Sequence, residues 1–179
     1  MEGKIKVALV GAGMFGGDVH ARAYADLQKS GIAGLLARVG LDKWARDLAP
    51  IEFELVAIAT RSEASAARAC DNYESWTARR PKAYHGETPW RDVIADFPDL
   101  DVMSVATPDN LHTQVTLDSI EHGIHVLMEK PMTVSAVEAS ALVTAARQEG
   151  KVFMVNNTAN FRPQAQRAAQ RCAEQGLHR

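Results

Sequence analysis

The apolar residues of this chain come in short runs separated by stretches of helical periodicity. Ile5, Val7, Ala8, Leu9 and Val10 form the first run, which ends in Gly11-Ala12-Gly13-Met14-Phe15-Gly16. A short apolar run bounded by glycines predicts a strand buried on both faces. A helix is predicted from about Phe15 to Leu27, and a second strand over Phe53 to Ala59, with the β-branched Val56 and Ile58 inside it. Ser62 is placed to cap a helix through about Tyr73. Ala83-Tyr84 reads as a short third strand, and Thr88-Pro89 opens a further helix with a cap residue followed by proline at the first helical position. Asp101 to Ala106 predicts a fourth strand, ended by Thr107-Pro108. The helix after it runs from about Asn110 to Glu121 and stops at Gly123. A fifth strand, Ile124 to Met128, leads into Glu129-Lys130-Pro131. Ser135 and Glu138 form a capping-box pattern before a helix that carries Val134, Val137, Ala141, Leu142 and Ala145 at helical spacing. Val152 to Val155 reads as a sixth strand, and the alanine-rich stretch Pro163 to Gln175 as a last helix.

Strands alternating with helices of this length imply βαβ units, so the fold class is α/β, a doubly wound parallel sheet of about six strands. Hydrophobic residues make up 46% of the 179 and charged residues 23%, which excludes a disordered or collagen-like chain. A net charge of −2 gives no electrostatic footprint for nucleic acid or anionic lipid. No apolar run approaches the roughly 20 residues of a membrane span. The N-terminus enters its first strand without a secretory apolar region. Cys70 and Cys172 lie far apart and form no CxxC pair, so they read as reduced thiols of a cytoplasmic protein. His122-Gly123-Ile124-His125 lacks further ligands, and no metal site is expected.

Gly11-x-Gly13-x-x-Gly16 follows a strand and opens a helix, the context in which such glycines bind a dinucleotide. Gly11 allows the tight turn, Gly13 lets a pyrophosphate approach the backbone, and Gly16 lets the helix pack on the strand. The helix N-terminus offers free N–H groups to the phosphates, with Ala12, Met14 and Phe15 beside them. In such a unit the second strand ends about 20 residues beyond the glycines. Here Thr60 stands more than twice that far from Gly16, so Lys29 to Pro50 is read as an insertion. It carries Leu35, Leu36, Leu41, Trp44 and Leu48 and suggests a short helical excursion on the domain edge.

The end of the second strand bears on the choice of cofactor. A carboxylate there binds the ribose 2′-hydroxyl of NAD. This chain has Thr60-Arg61-Ser62 instead. Arg61 would attract a 2′-phosphate, which favours NADP over NAD, with a solvated surface charge as the alternative reading. Thr107-Pro108-Asp109-Asn110-Leu111-His112 and Glu129-Lys130-Pro131 stand at the carboxyl ends of the fourth and fifth strands, where open α/β sheets bind ligands. Thr107, Asn110 and His112 can meet ribose, nicotinamide or substrate there, although His112 also suits an ordinary helix N-terminus. Lys130 can hold a substrate hydroxyl or donate a proton in carbonyl reduction; the alternative is a surface salt bridge.

Taken together, these motifs resemble the Gfo/Idh/MocA oxidoreductase family. The matching residues are the glycine loop with His20 downstream, Thr107-Pro108 with Leu111-His112, Glu129-Lys130-Pro131, and Asn160-Phe161-Arg162-Pro163. The resemblance covers nearly the whole chain outside the insertion. It implies a Rossmann-type domain that binds NADP or NAD and serves oxidation or reduction of a sugar, cyclitol or related polyol. By that resemblance Lys130 is the catalytic-site lysine, its peptide to Pro131 is often cis, and His112 joins it at the reaction site. Thr107, Pro108, Asn110, His112 and Glu129 would line the cofactor. Asn160 and Arg162 would cross towards a substrate domain. The expected organisation is a nucleotide-binding domain over residues 1–150, then a last strand and the start of a connection over 151–179. The family's second α+β domain, which completes the substrate pocket, has no counterpart in those last residues. The competing expectation is a non-catalytic NADP(H)-binding module that pairs with another chain or with a copy of itself.

Overall fold

The computed structural model describes residues 3–38, 48, 51–158 and 162–176. Its strands are β1 (Gly3–Val10), β2 (Ile51–Thr60), β3 (Lys82–His85), β4 (Val102–Val105), β5 (His125–Glu129) and β6 (Phe153–Asn156). They form one sheet in the order β3-β2-β1-β4-β5-β6. Every described pairing is parallel. The order reverses between β1 and β4, which makes the gap beyond their carboxyl ends the topological switch point.

The helices are α1 (Ala21–Arg38), α2 (Glu63–Thr77), α3 (Pro89–Asp96), α4 (Asp109–Glu121), α5 (Ala136–Gln148) and α6 (Pro163–Glu174). They cover both faces of the sheet, and the strand alternation follows from that. In β1, Val7 and Leu9 pack on Ala21, Tyr24 and Ala25 of α1 and on Ala69, Cys70 and Tyr73 of α2. Ala8 and Val10 face the opposite layer, with Trp90 and Val93 of α3, Val115 and Ile120 of α4, and Leu142 and Ala146 of α5. A strand covered on both faces has no polar side, hence its continuous apolar run.

Element boundaries shift by a few residues from the pattern-based expectation, and four local features differ in kind. The first helix does not end at Leu27 but continues to Arg38 through a break at Gly31, whose φ of 63° only glycine adopts easily. The first ten residues of the expected insertion, 29–38, are therefore helical, with Leu35 and Leu36 half-buried. Leu41 and Trp44 lie outside the described residues. Thr88 makes no side-chain capping bond at α3. The capping box at α5 is half-formed: Ser135 Oγ accepts the Glu138 N–H at 3.4 Å, but the Glu138 carboxylate accepts from Thr113 and Thr133 instead of returning the bond. That choice ties α5 to α4. Val134 and Val137, expected on the apolar stripe of α5, are 74% and 80% exposed, and Leu142 with Ala146 carries the packing. Among the described residues, no helix is long and apolar enough to cross a membrane.

Candidate functional site

The glycine loop is shaped by contacts that exclude side chains. Gly11 ends β1 with φ +92°, and a Cβ there would stand 2.3 Å from the Ala106 carbonyl oxygen. A Cβ on Gly16 would stand 1.9 Å from the Gly11 carbonyl oxygen. Neither position admits even alanine without moving backbone. Gly13 is the opposite case, with open space where its Cβ would be. The chain enters the first helical turn there, and that turn is π-helical over Met14–His20, with the Ala21 N–H bonded to the Gly16 carbonyl. Gly13 caps the turn without any side-chain bond, which leaves its N–H groups free for an anion.

A cleft of about 520 Å³ opens over this loop at the switch point. Gly11, Ala12 and Gly13 form one wall, Thr60 and Arg61 a second, and Thr107, Pro108 and Asn110 a third. Trp90, fully buried, lines its floor with Val10 and Ala59. Thr107 Oγ1 is buried and has no hydrogen-bond partner among the described residues. An open glycine N–H cradle and a guanidinium unpaired among the described residues, on one cleft, fit the phosphates of a dinucleotide. At the β2 end, Thr60 Oγ1 donates to the Ser62 carbonyl at 2.9 Å, and Ser62 Oγ accepts the Ser65 N–H at 3.3 Å as the cap of α2. Arg61 is exposed and forms no hydrogen bond or ion pair through its side chain among the described residues.

The fifth-strand end is built differently. Lys130 is exposed, its peptide to Pro131 is cis, and its ammonium sits 5.5 Å from the centre of the Phe15 ring. Beneath it lies a buried polar chain. His20 Nδ1 is 3.0 Å from Ser104 Oγ, and His20 Nε2 is 2.8 Å from Glu129 Oε1. Asn156 Nδ2 donates to the same Glu129 oxygen at 2.7 Å, and the Lys130 N–H donates to Oε2 at 3.3 Å. Burial pushes the Glu129 carboxyl up, but its bonds from His20 and Asn156 outweigh that, and its pKa lies below the ordinary glutamate value.

The residues expected at the site therefore divide. Gly11, Ala12, Gly13, Thr60, Arg61, Thr107, Pro108 and Asn110 share the cleft. Met14 borders a neighbouring cleft, and Phe15 lies under Lys130. Gly16 is buried against Gly11, Ser62 is spent on its cap, and Glu129 is 6% exposed beneath Lys130. His112 departs most from expectation. It is fully buried, with Nδ1 2.8 Å from the Pro131 carbonyl and Nε2 3.0 Å from the Thr107 carbonyl. Its ring bridges the loops after β4 and β5 and does not face the cleft. Arg162 is exposed before α6, and Asn160 lies outside the described residues.

Ser104 and Asn156, which bond to His20 and Glu129, and Arg68, which also lines the cleft, were not among the residues expected at the site. Asn156 was recoverable from strand register, because it pairs with Glu129 at the β5–β6 edge. Ser104 and Arg68 left no comparable signal beyond the strand and helix periods that place them.

The profile of the Gfo/Idh/MocA oxidoreductase family, an NAD-binding Rossmann fold, matches residues 5–157. The chain belongs to this family. Levoglucosan dehydrogenase of Pseudarthrobacter phenanthrenivorans is 35% identical over 78 residues, 44% of this chain and 20% of that enzyme. The enzyme named D-xylose 1-dehydrogenase (NADP(+)) 2 of Haloferax volcanii is 32% identical over 124 residues, 69% of this chain and 35% of its own length. The crystal structure of an NAD-binding oxidoreductase from Klebsiella pneumoniae superimposes with a TM-score of 0.72 at 29% identity, covering 96% of this chain and 39% of that one. The matched stretch thus spans only a fifth to about a third of the curated relatives' length. Within it lies an NAD(P)-binding oxidoreductase domain related to sugar and inositol dehydrogenases.

Proposed function

We propose that this domain holds NADP in preference to NAD and serves hydride transfer on a sugar, cyclitol or related polyol or carbonyl compound. The observation that carries the reading is the cleft at the switch point, where the open Gly13 cradle and Arg61, unpaired among the described residues, line one volume with Thr107. The free N–H groups at Gly13 would take the diphosphate, and Arg61 would take the 2′-phosphate in paired hydrogen bonds. Thr107, Pro108 and Asn110 would hold the nicotinamide end. When bound, the nicotinamide supplies a hydride donor or acceptor. Lys130 is the group offered to substrate: its ammonium would hold the reacting oxygen and hold or release a proton at Nζ. His20, Glu129, Asn156 and His112 serve as positioning residues, since their polar atoms bond to the protein itself. Asn160 and Arg162 would lie on the path to the part that binds substrate. Two free cysteines, one buried and one exposed, suit a reducing, cytoplasmic setting.

A second reading keeps the cofactor and drops turnover, the domain being an NADP(H)-binding module paired with another chain or with its own copy. Exposed apolar side chains around the start of α5 and at the edge strand β6, Val134, Val137, Val152 and Met154, favour it. Steady-state NADPH oxidation with a panel of keto-sugars, beside NADPH titration, separates the two. Turnover that Lys130→Ala abolishes, with NADPH affinity retained, supports the enzyme reading. Binding without turnover supports the module.

A further inference from the structure

The main cleft is not the only one at the glycine loop. A second cleft, of about 240 Å³, lies between the opening turn of the first helix and α2, lined by Asp18, Asn72 and Trp76 among others. The two clefts share Ala12, Gly13 and a single charged residue, Arg68. We propose that Arg68 is a second specificity-determining guanidinium, which joins Arg61 in holding the 2′-phosphate of an NADP-type ligand. The proposal rests on the reading of the main cleft as a dinucleotide site.

Arg68 stands on the second turn of α2, three residues beyond Ser65. That spacing puts Ser65 and Arg68 on one helix face, and both line the main cleft. Helical side chains tilt towards the N-terminus of their helix, here the β2–α2 corner that carries Arg61. Other arginines nearby are already engaged. Arg80 pairs with Asp71 and Glu74, Arg79 approaches Glu54, and Arg22 stacks on Trp76 at 4.3 Å. Arg61 and Arg68 have no such hydrogen bond or ion pair among the described residues, and both are exposed. The carboxylates that border the two clefts are Glu87 and Asp18, one in each. Two unpaired guanidiniums on one wall suit a dianion better than a ribose hydroxyl, which would need an acceptor. A phosphate monoester on the ribose carries close to two charges at neutral pH, so one guanidinium would leave it half-compensated.

The test is calorimetry on the full chain with two pairs of probes, each pair differing by the 2′-phosphate alone: NADPH against NADH, and 2′,5′-ADP against 5′-AMP. Arg68→Ala is expected to weaken NADPH and 2′,5′-ADP about tenfold and to leave NADH and 5′-AMP within about twofold, because the lost bonds go to the phosphate only. Arg68→Lys should recover part of the loss, since it keeps the charge without the planar fork. An unchanged thermal midpoint excludes misfolding as the cause. If Arg68→Ala binds all four probes like the parent while Arg61→Ala loses NADPH, Arg68 is outside the site and the proposal falls, with the dinucleotide reading intact. Equal loss for all four probes would make Arg68 a determinant of cleft shape and would also overturn it. A parent chain that binds none of the four removes the dinucleotide reading itself.

Discussion

The two ends of the candidate site are made by opposite means. At the β1–β2 end the walls are backbone, and the defining residues are those that lack atoms: Gly11 and Gly16 permit contacts that any Cβ would break, and Gly13 leaves a space unfilled. At the β4–β5–β6 end the defining residues are polar groups taken out of water and paired, His20 with Ser104 and Glu129, Glu129 with Asn156, and His112 with two carbonyls. One end is organised by what cannot be added, the other by what must be satisfied. Substitutions should therefore fail differently: steric at the first end, and through unpaired buried polar groups at the second.

The sharpest contrast lies within the glycines. Gly16→Ala should destabilise the fold by about 3 kcal/mol and lose dinucleotide binding with it, because its Cβ meets backbone that cannot yield cheaply. Gly13→Ala should leave the thermal midpoint near that of the parent while NADPH affinity falls at least about tenfold, since the open space its Cβ would enter is the one proposed for the diphosphate. Thermal melts and titrations on the two variants check this. A Gly13→Ala protein as unstable as Gly16→Ala would erase the distinction.

Next in size is the buried chain. His20→Ala removes one partner from Glu129 and one from Ser104, and should cost about 1–3 kcal/mol in chemical denaturation. Glu129 carries the pH dependence. Its folded pKa is depressed, so its contribution to stability is fully present above the ordinary glutamate value and is lost as pH falls through the folded one. Denaturation midpoints from neutral to acid pH should show that decline in the parent and a shallower one in Glu129→Gln. Identical acid limbs would separate Glu129 from the stability of this end.

The ordering of elements and the glycine cradle were legible because they rest on local rules: apolar runs bounded by glycine, and a strand-to-helix turn that tolerates no side chain. The position of His112 was not legible from its motif, which stands at a ligand-binding edge. The helix period decides instead. His112, Val115, Thr116, Ser119 and Ile120 share the buried stripe of α4, so the histidine points inward with them. His20 follows the same rule, one turn beyond the buried Gly16 on the helix that faces β4 and β5. Lys130 stays outside because β5 ends at Glu129, the last residue the sheet covers. The continuation of α1 to Arg38 was hidden because the break at Gly31, a single residue of positive φ between two helical stretches, interrupts the helical pattern.

Smaller effects are expected where side chains are exposed or inert. Lys130→Ala should shift stability by no more than about 0.5 kcal/mol, since among the described residues the exposed ammonium forms no hydrogen bond or ion pair and lies 5.5 Å from the centre of the Phe15 ring. A larger loss would mean that Lys130 belongs structurally to the buried chain beneath it. The cysteines give the smallest signal. Cys172 is exposed and should alkylate readily in the folded protein. Cys70 is buried, its thiol is pushed up to about 11 by that burial, and it should react only on unfolding. Mass spectrometry after a short iodoacetamide pulse reads both sites at once.

The switch-point cleft is proposed to be a dinucleotide site whose ribose end prefers a phosphate. Isothermal titration of the full chain with NADPH and NADH tests it most directly. Saturable binding of both, with NADPH the tighter, is the predicted result. Equal affinities would remove the phosphate preference, and silent titrations with both at millimolar concentration would contradict the claim outright.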